Sequence, residues 1–185
     1  VKWVLIALAL LGPLEGADHA LQHAVQNARA PALEGPMRRL TEAGKPVVVF
    51  AGLLVVAAFD VAAGPATARL ALLALAPTNL AVEGLKRATC RTRPDGDHDC
   101  SNASFPSSHA ANAFALAWVL AHRYRRWGWI AWLAAAGVGF SRVYLNRHFV
   151  SDVIVGALIG ALCAWGAARF LAWLRSRRPA RAEIG

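Results

Sequence analysis

Three short stretches of this chain carry residues able to hold an anion or move a proton. KRATCRTRP supplies Lys86 and Arg93, the latter followed by Pro94; FPSSHA supplies Pro106, Ser107, Ser108 and His109; SRVYLNRHFVSD supplies Ser141, Arg142, His148 and Asp152. Lys86, Arg93 and Arg142 make a concentrated positive set. Guanidinium forks match two oxygens of a tetrahedral oxyanion, and an ammonium adds a point charge. Ser107 stands just before an apolar run, so the backbone N–H groups of Ser108 and His109 open a helix, where unpaired donors and the helix dipole favour an anion. These residues read as a phosphate cradle. No glycine-rich nucleotide loop accompanies them, which argues against a mononucleotide site.

The histidines supply the reactive groups. His148 and Asp152 are spaced i,i+4 and share one helical face. A carboxylate bonded to one ring nitrogen fixes the tautomer and raises the nucleophilicity of the other, so His148 is the candidate nucleophile. His109, on a different segment, is placed to protonate a departing oxygen. The exchanged assignment is weaker, because His109 has no acid nearby in sequence. Each cluster alone has a plain structural role: cations snorkel at span ends, a serine caps a helix, a His/Asp pair sits on a surface. Three clusters on one side shift the reading to chemistry. The acidic run DGDHDC, with Asp95, Asp97, His98 and Asp99, lacks the rest of a calcium-loop pattern and reads as a solvated turn. No metal or other cofactor is expected. Glu83, three residues before Lys86, has two readings, a group that tunes that lysine or a partner of Arg87, and the structural role is the one expected.

What positions these clusters is a chain of apolar blocks. Of 185 residues, 57% are hydrophobic and only 17% charged, against about half and about a quarter in ordinary soluble domains. The fold class expected is all-α, a polytopic transmembrane helical bundle of five or six spans. Four or five of them are expected near residues 47–63, 66–85 (broken by Pro77 and Asn79), 110–121, 127–144 and 148–174. The last contains Gly156 and Gly160, a small-xxx-small spacing that lets helices approach closely. Residues 1–17 read as a signal peptide or a short anchor helix, and residues 18–185 as one membrane domain with its catalytic core in 86–152. Within it, residues 18–45 read as an interfacial helical segment, with Leu21, Val25 and Ala28, then Leu33, Met37 and Leu40, at helical spacing.

The net charge is +9, but the basic residues sit at the ends of apolar blocks rather than among aromatics on a polar face. That suits membrane orientation and anionic headgroups, not nucleic acid. Arg123, Arg125 and Arg126, with Arg175, Arg177, Arg178 and Arg181, fall on one side and are placed in the cytoplasm by the positive-inside rule. The three clusters fall on the other side. Cys90 and Cys100 would pair there in an oxidising compartment and stay thiols otherwise; Cys163 reads as packing.

Lys86-x6-Arg93-Pro94, then Pro106-Ser107-Ser108-His109, then Ser141-Arg142-x5-His148-x3-Asp152 resembles the three-part signature of the type 2 phosphatidic acid phosphatase superfamily. The match runs from Lys86 to Asp152, and the flanking blocks fit its membrane branch. Ser108 stands where that signature usually has glycine, adding a side chain where backbone approaches phosphate. The resemblance implies a metal-independent phosphatase of the bacterial inner membrane, with its site facing the periplasm. His148, Asp152 and His109 would carry catalysis through a phosphohistidine; Lys86, Arg93, Ser107, Ser108 and Arg142 would hold phosphate. It implies a phospholipid or polyprenyl phosphate as substrate. The alternatives are a vanadate-dependent haloperoxidase-like enzyme and a non-catalytic phospholipid binder or transporter.

Overall fold

A computed structural model describes residues 2–59 and 62–177; Arg178 and Arg181 of the basic tail lie outside the described residues. Seven α-helices follow one another: α1 Lys2–Asn27, α2 Pro31–Ala43, α3 Pro46–Phe59, α4 Gly64–Thr89, α5 Ser108–Arg123, α6 Gly128–Tyr144 and α7 Val150–Ser176, with a 3-10 turn at Cys100–Asn102. There is no strand among the described residues. The all-helical expectation holds, and α4 to α7 coincide closely with apolar blocks of the sequence. Two helices, α4 and α7, are long and apolar enough to cross a membrane; α3, α5 and α6 have 14, 16 and 17 residues.

Helix α5 is the centre of the bundle and packs on α4, α6 and α7. Its inward face is almost all alanine, and the core it shares combines Leu70, Ala71, Ala74 and Leu75 of α4 with Ala115 and Val119 of α5 and Ala164 and Ala167 of α7. Small residues between helices and large apolar ones outside are the pattern of packing in lipid, where close backbone approach replaces the hydrophobic effect. Helix α7 shows both halves of it. Gly156, Gly160, Ala164 and Ala167 are buried, while Ile154, Leu158, Leu162 and Trp165 point outward. The expected small-xxx-small contact is real: a Cβ at Gly156 would lie 2.5 Å from the Ser107 carbonyl oxygen, and one at Gly160 would overlap that of Ala111.

Helix α4 departs from expectation. It runs unbroken through Pro77. Thr78 Oγ1 donates to the Ala74 carbonyl and Asn79 Nδ2 to that of Leu75, at 2.7 and 2.8 Å, so side chains serve backbone acceptors beside the proline. At the far end of the bundle, Arg123 Nε donates to Thr67 Oγ1 at 3.3 Å, tying the end of α5 to the start of α4. Helix α1 also differs in its docked face. Leu21 is exposed, and the buried residues are Asp18 and Gln22. Gln22 Nε2 donates to the Val143 carbonyl and to Asn146 Oδ1, and Gln26 to the Val143 and Tyr144 carbonyls. The polar stripe 18-22-26, at i,i+4 spacing, therefore fastens α1 under the α6–α7 seam.

The segment between α4 and α5 is clipped by a Cys90–Cys100 disulfide. Cys90 ends α4 in the left-handed region at φ 46°, and Ser104 N bonds the Arg91 carbonyl at 2.8 Å.

Two glycine substitutions test the α5–α7 contact. Gly160→Ala forces the backbones apart and destabilises by about 1–3 kcal/mol, as overpacking does, so its melting temperature falls. Gly166→Ala, where a Cβ meets nothing within 4 Å, leaves it unchanged or raises it. Thermal unfolding of both variants in detergent measures this.

Candidate active site

The packing of α5 against α7 brings the second and third clusters together. Ser107 N donates to the Asp152 carbonyl at 3.0 Å, so the entry to α5 is pinned to the first turn of α7. The disulfide-clipped segment then lays Arg93 across the loop before α7: Arg93 Nε and Nη2 donate to Asn102 O and Oδ1 at 2.9 and 2.6 Å, and Nη1 to the Arg147 carbonyl at 3.3 Å. The last turn of α4 buries Lys86, whose Nζ donates to the Ala103 carbonyl. Arg142, in the last turn of α6, is buried and reaches Thr41 Oγ1 of α2 at 3.3 Å.

These elements enclose a cavity of about 400 Å³. Lys86, Arg93, Ser108, His109, Arg142 and His148 line it, so six of the eight residues picked out from the sequence face one space. Two of their polar atoms, His109 Nε2 and Arg142 Nε, are buried without a hydrogen-bond partner. Buried polar atoms are almost always paired; Gln22 Oε1, on α1, is a third such atom among the described residues. The remaining two residues stand behind the wall. Ser107 is fully buried and its Oγ accepts from Ala110 N at 3.4 Å, as the N-cap of α5. Asp152 is fully buried beneath His148.

The link between Asp152 and His148 is less direct than i,i+4 spacing suggests. Asp152 Oδ2 lies 3.7 Å from His148 Nδ1, beyond a hydrogen bond. That oxygen is taken by Ser104 Oγ at 2.5 Å and Phe149 N at 2.9 Å. The partner of Nδ1 is instead the Ser104 carbonyl, at 2.7 Å. A carbonyl only accepts, so Nδ1 carries the proton, and the Nε2 lone pair is left for chemistry. Burial pushes the His148 pKa down to about 4, with Asp152 pulling the other way, so the ring is neutral at pH 7. Arg93 also lies below its usual value, from burial and then from Arg147 beside it.

Several contributors escape a reading of motifs. Asn102 and Ser104 hold Arg93 and His148 but belong to no charged cluster. Arg147 lines the cavity and pairs with Asp95 at 2.6 Å, which gives part of the acidic run a partner. Gly44, just past α2, lets that turn approach His109: a Cβ there would be 3.2 Å from His109 Cδ2. Glu83 faces the cavity with Asn79 and Asn112 and has no ion-pair partner within 4 Å among the described residues, Arg87 included. Arg91 and Asp18 form a buried ion pair at 2.8 Å, and Arg91 also holds Asp152 at 2.7 Å. The i,i+4 polar stripe of α1 was the available signal for Asp18. Nothing in the sequence distinguishes Arg91 from its basic neighbours.

Known proteins agree with this geometry. Residues 67–176 match the model of the PAP2 superfamily. Phosphatidylglycerophosphatase B of Bacillus subtilis is 31% identical over 178 residues, 86% of this chain and 85% of that one. Lipid A 1-phosphatase of Porphyromonas gingivalis is 41% identical over 76 residues, 39% of this chain. The chain spans only 16% of that protein, and 33% of the bacitracin transport permease protein BcrC of Bacillus licheniformis. The crystal structure of a transmembrane PAP2-type phosphatidylglycerolphosphate phosphatase from Bacillus subtilis superposes with a TM-score of 0.76 at 28% identity, covering 96% of each chain. With its motifs gathered on one cavity and residues 67–176 matching the family model, this chain belongs to the PAP2 superfamily of phosphatases.

Proposed function

We propose that the protein is a metal-independent phosphatase of lipid phosphates, working through a phosphohistidine at the periplasmic face of the bacterial inner membrane. The observation that carries this is the convergence of Lys86, Arg93, His109, Arg142 and His148 on one cavity. Lys86, Arg93, Arg142 and the Ser108 and His109 amides hold the equatorial oxygens, and Ser107 has its hydroxyl proton left to give. His148 Nε2 attacks phosphorus in line. The bond to the leaving oxygen breaks as His109 gives that oxygen a proton. His109, now neutral, takes a proton from water, which attacks the phosphohistidine, releases phosphate and returns His148 as the neutral ring. Cations fixed around the developing charge supply the largest share of the rate, on the order of several kcal/mol.

Two features support the periplasmic side. The Cys90–Cys100 disulfide lies at the site's end of the bundle, and disulfides persist in oxidising compartments. Arg123, Arg125, Arg126, Arg175 and Arg177 lie at the other end, as the positive-inside rule asks of a cytoplasmic face. In this arrangement α4 and α7 cross the bilayer with α3, α5 and α6 packed beside them as further spans.

Polar residues deeper in the cavity support a reading of the substrate. Asn79, Glu83 and Lys86 lie on one face of α4, and seven residues of helix place Asn79 about 10 Å below the cradle. Asn79 and Asn112 exchange hydrogen bonds at 3.0 and 3.2 Å and keep spare acceptors, as does Glu83. Polar groups at that depth suit a leaving group bearing hydroxyls next to the scissile phosphate. A glycerol or sugar phosphate lipid fits better than a bare polyprenyl phosphate.

Phosphate release by purified protein over phosphatidylglycerophosphate, phosphatidate, a lipid A phosphate and undecaprenyl phosphate and diphosphate, with EDTA present, tests the reading. Turnover persists in EDTA and is fastest on the hydroxyl-bearing esters. His148→Ala lowers kcat by at least about 10³-fold, the scale seen when a covalent nucleophile is lost; near-normal turnover in that variant rules out His148. Background release across the panel favours a binder or transporter.

The acid limb of kcat/KM gives a second check, once corrected for ionisation of the substrate phosphate. A nucleophile whose pKa is lowered to about 4 is inactivated only as pH falls through that value, so the limb lies near 4. A limb at about 6.5, the ordinary histidine value, contradicts the buried neutral ring.

A further inference from the structure

We infer that Asp18, on α1, is a positioning residue for phosphoryl transfer, acting through Arg91 and Asp152 on His148. The inference rests on the phosphatase reading above and extends it to a helix outside the three motifs. The contacts form one continuous chain. Asp18 Oδ2 accepts from Arg91 Nη2 at 2.8 Å, and Arg91 Nη1 donates to Asp152 Oδ1 at 2.7 Å. The other oxygen of Asp152 accepts from Ser104 Oγ, and the carbonyl of that same Ser104 accepts from His148 Nδ1. Ser151, beside Asp152, is tied to Asp18 by its backbone N–H at 3.0 Å and by its hydroxyl. Arg91 also lies over the Phe149 ring, 4.3 Å from its centroid. The first turn of α7, next to the nucleophile, is thus braced against α1.

Charge gives the arrangement its consequence. Asp18 is 3% exposed and Asp152 fully buried, with the single guanidinium of Arg91 between them. Two carboxylates and one guanidinium leave one net negative charge in a water-poor pocket behind His148. When His148 Nε2 bonds to phosphorus while Nδ1 keeps its proton, the ring becomes cationic. The excess carboxylate charge offsets that cation, and it does so only at the stage where the bond forms, so it raises kcat rather than substrate affinity. Without the Asp18 carboxylate, Arg91 neutralises Asp152 alone and the offset disappears. The plain alternative is an ion pair that merely docks α1.

The test compares kcat and KM of Asp18→Asn, Asp18→Glu and Arg91→Lys with wild type on one lipid that wild type turns over, using protein shown to be folded by size-exclusion and circular dichroism. Asp18→Asn keeps the shape and removes the charge. It is expected to lower kcat about 10-fold to 100-fold, the range lost when an outer partner of a functional histidine is removed, with KM within about twofold because the cradle is untouched. Asp18→Glu restores part of the loss. Arg91→Lys, which keeps a charge but not the fork that grips both carboxylates, also lowers kcat and carries the test should Asp18→Asn not fold. Wild-type kcat in folded Asp18→Asn or Arg91→Lys, whatever the melting temperature, overturns the inference and leaves the phosphatase reading intact. A wild type that releases no phosphate from any lipid overturns both.

Discussion

Everything in this structure answers to one electrostatic constraint: Lys86, Arg93 and Arg142 are buried around a single cavity, and among the described residues the one carboxylate that comes within 4 Å of them is Asp97, 3.9 Å from Arg93. Like charges several ångströms apart repel by about 2 kcal/mol per pair at an effective dielectric of 20. The chain meets that cost with neutral acceptors rather than with anions. Carbonyls of Ala103, Asn102 and Arg147, and the hydroxyl of Thr41, receive the cations. Asp97 is itself two-fifths exposed, and Glu83 lines the cavity without an ion-pair partner within 4 Å among the described residues. A cradle so built stays positive, and the proposed phosphate dianion would supply the missing negative charge. That is preorganisation for a charge that develops elsewhere.

Holding such a cradle together falls to the helix packing. Because Gly156 and Gly160 let α7 lie against the backbone of α5, the first turn of α7 and the N-terminus of α5 share a hydrogen bond, and His148 and His109 face one space. The Cys90–Cys100 clip sets the segment bearing Arg91 and Arg93 against them. Large apolar residues are left outside, where lipid rather than a protein core covers them. In such a fold the interior is the place for polar chemistry, and the exterior supplies the anchoring.

Much of this was legible in the sequence. The spacing of Arg142, His148 and Asp152 calls for a helix boundary between the first and the last, and FPSSHA announces an N-terminus; His148 itself stands just ahead of α7 rather than on it. Long apolar runs with small residues at every fourth position mark α7 without ambiguity. The parts that were not legible depend on contacts between distant segments. Asp152 reaches His148 through Ser104 because its nearer oxygen is occupied by a serine 48 residues away. Glu83 has no ion-pair partner within 4 Å among the described residues because its helix turns it into the cavity. Asp18 sits among ordinary polar residues, and its partner Arg91 is one of four basic residues in KRATCRTR. Pro77 misleads for a different reason: it removes only the bond to the Leu73 carbonyl, and the helix runs on through it, with the Thr78 and Asn79 side chains adding bonds to the Ala74 and Leu75 carbonyls.

The claim on which the account turns is that the Nε2 lone pair of His148 forms a bond to phosphorus. Rapid mixing with a lipid substrate followed by an alkaline quench, which preserves phosphoramidates, and mass spectrometry of the digested protein addresses it directly. The account predicts phosphate on the peptide containing residue 148 and none on that containing residue 109. Phosphate on His109, or turnover with no phosphorylated histidine at any mixing time, contradicts it.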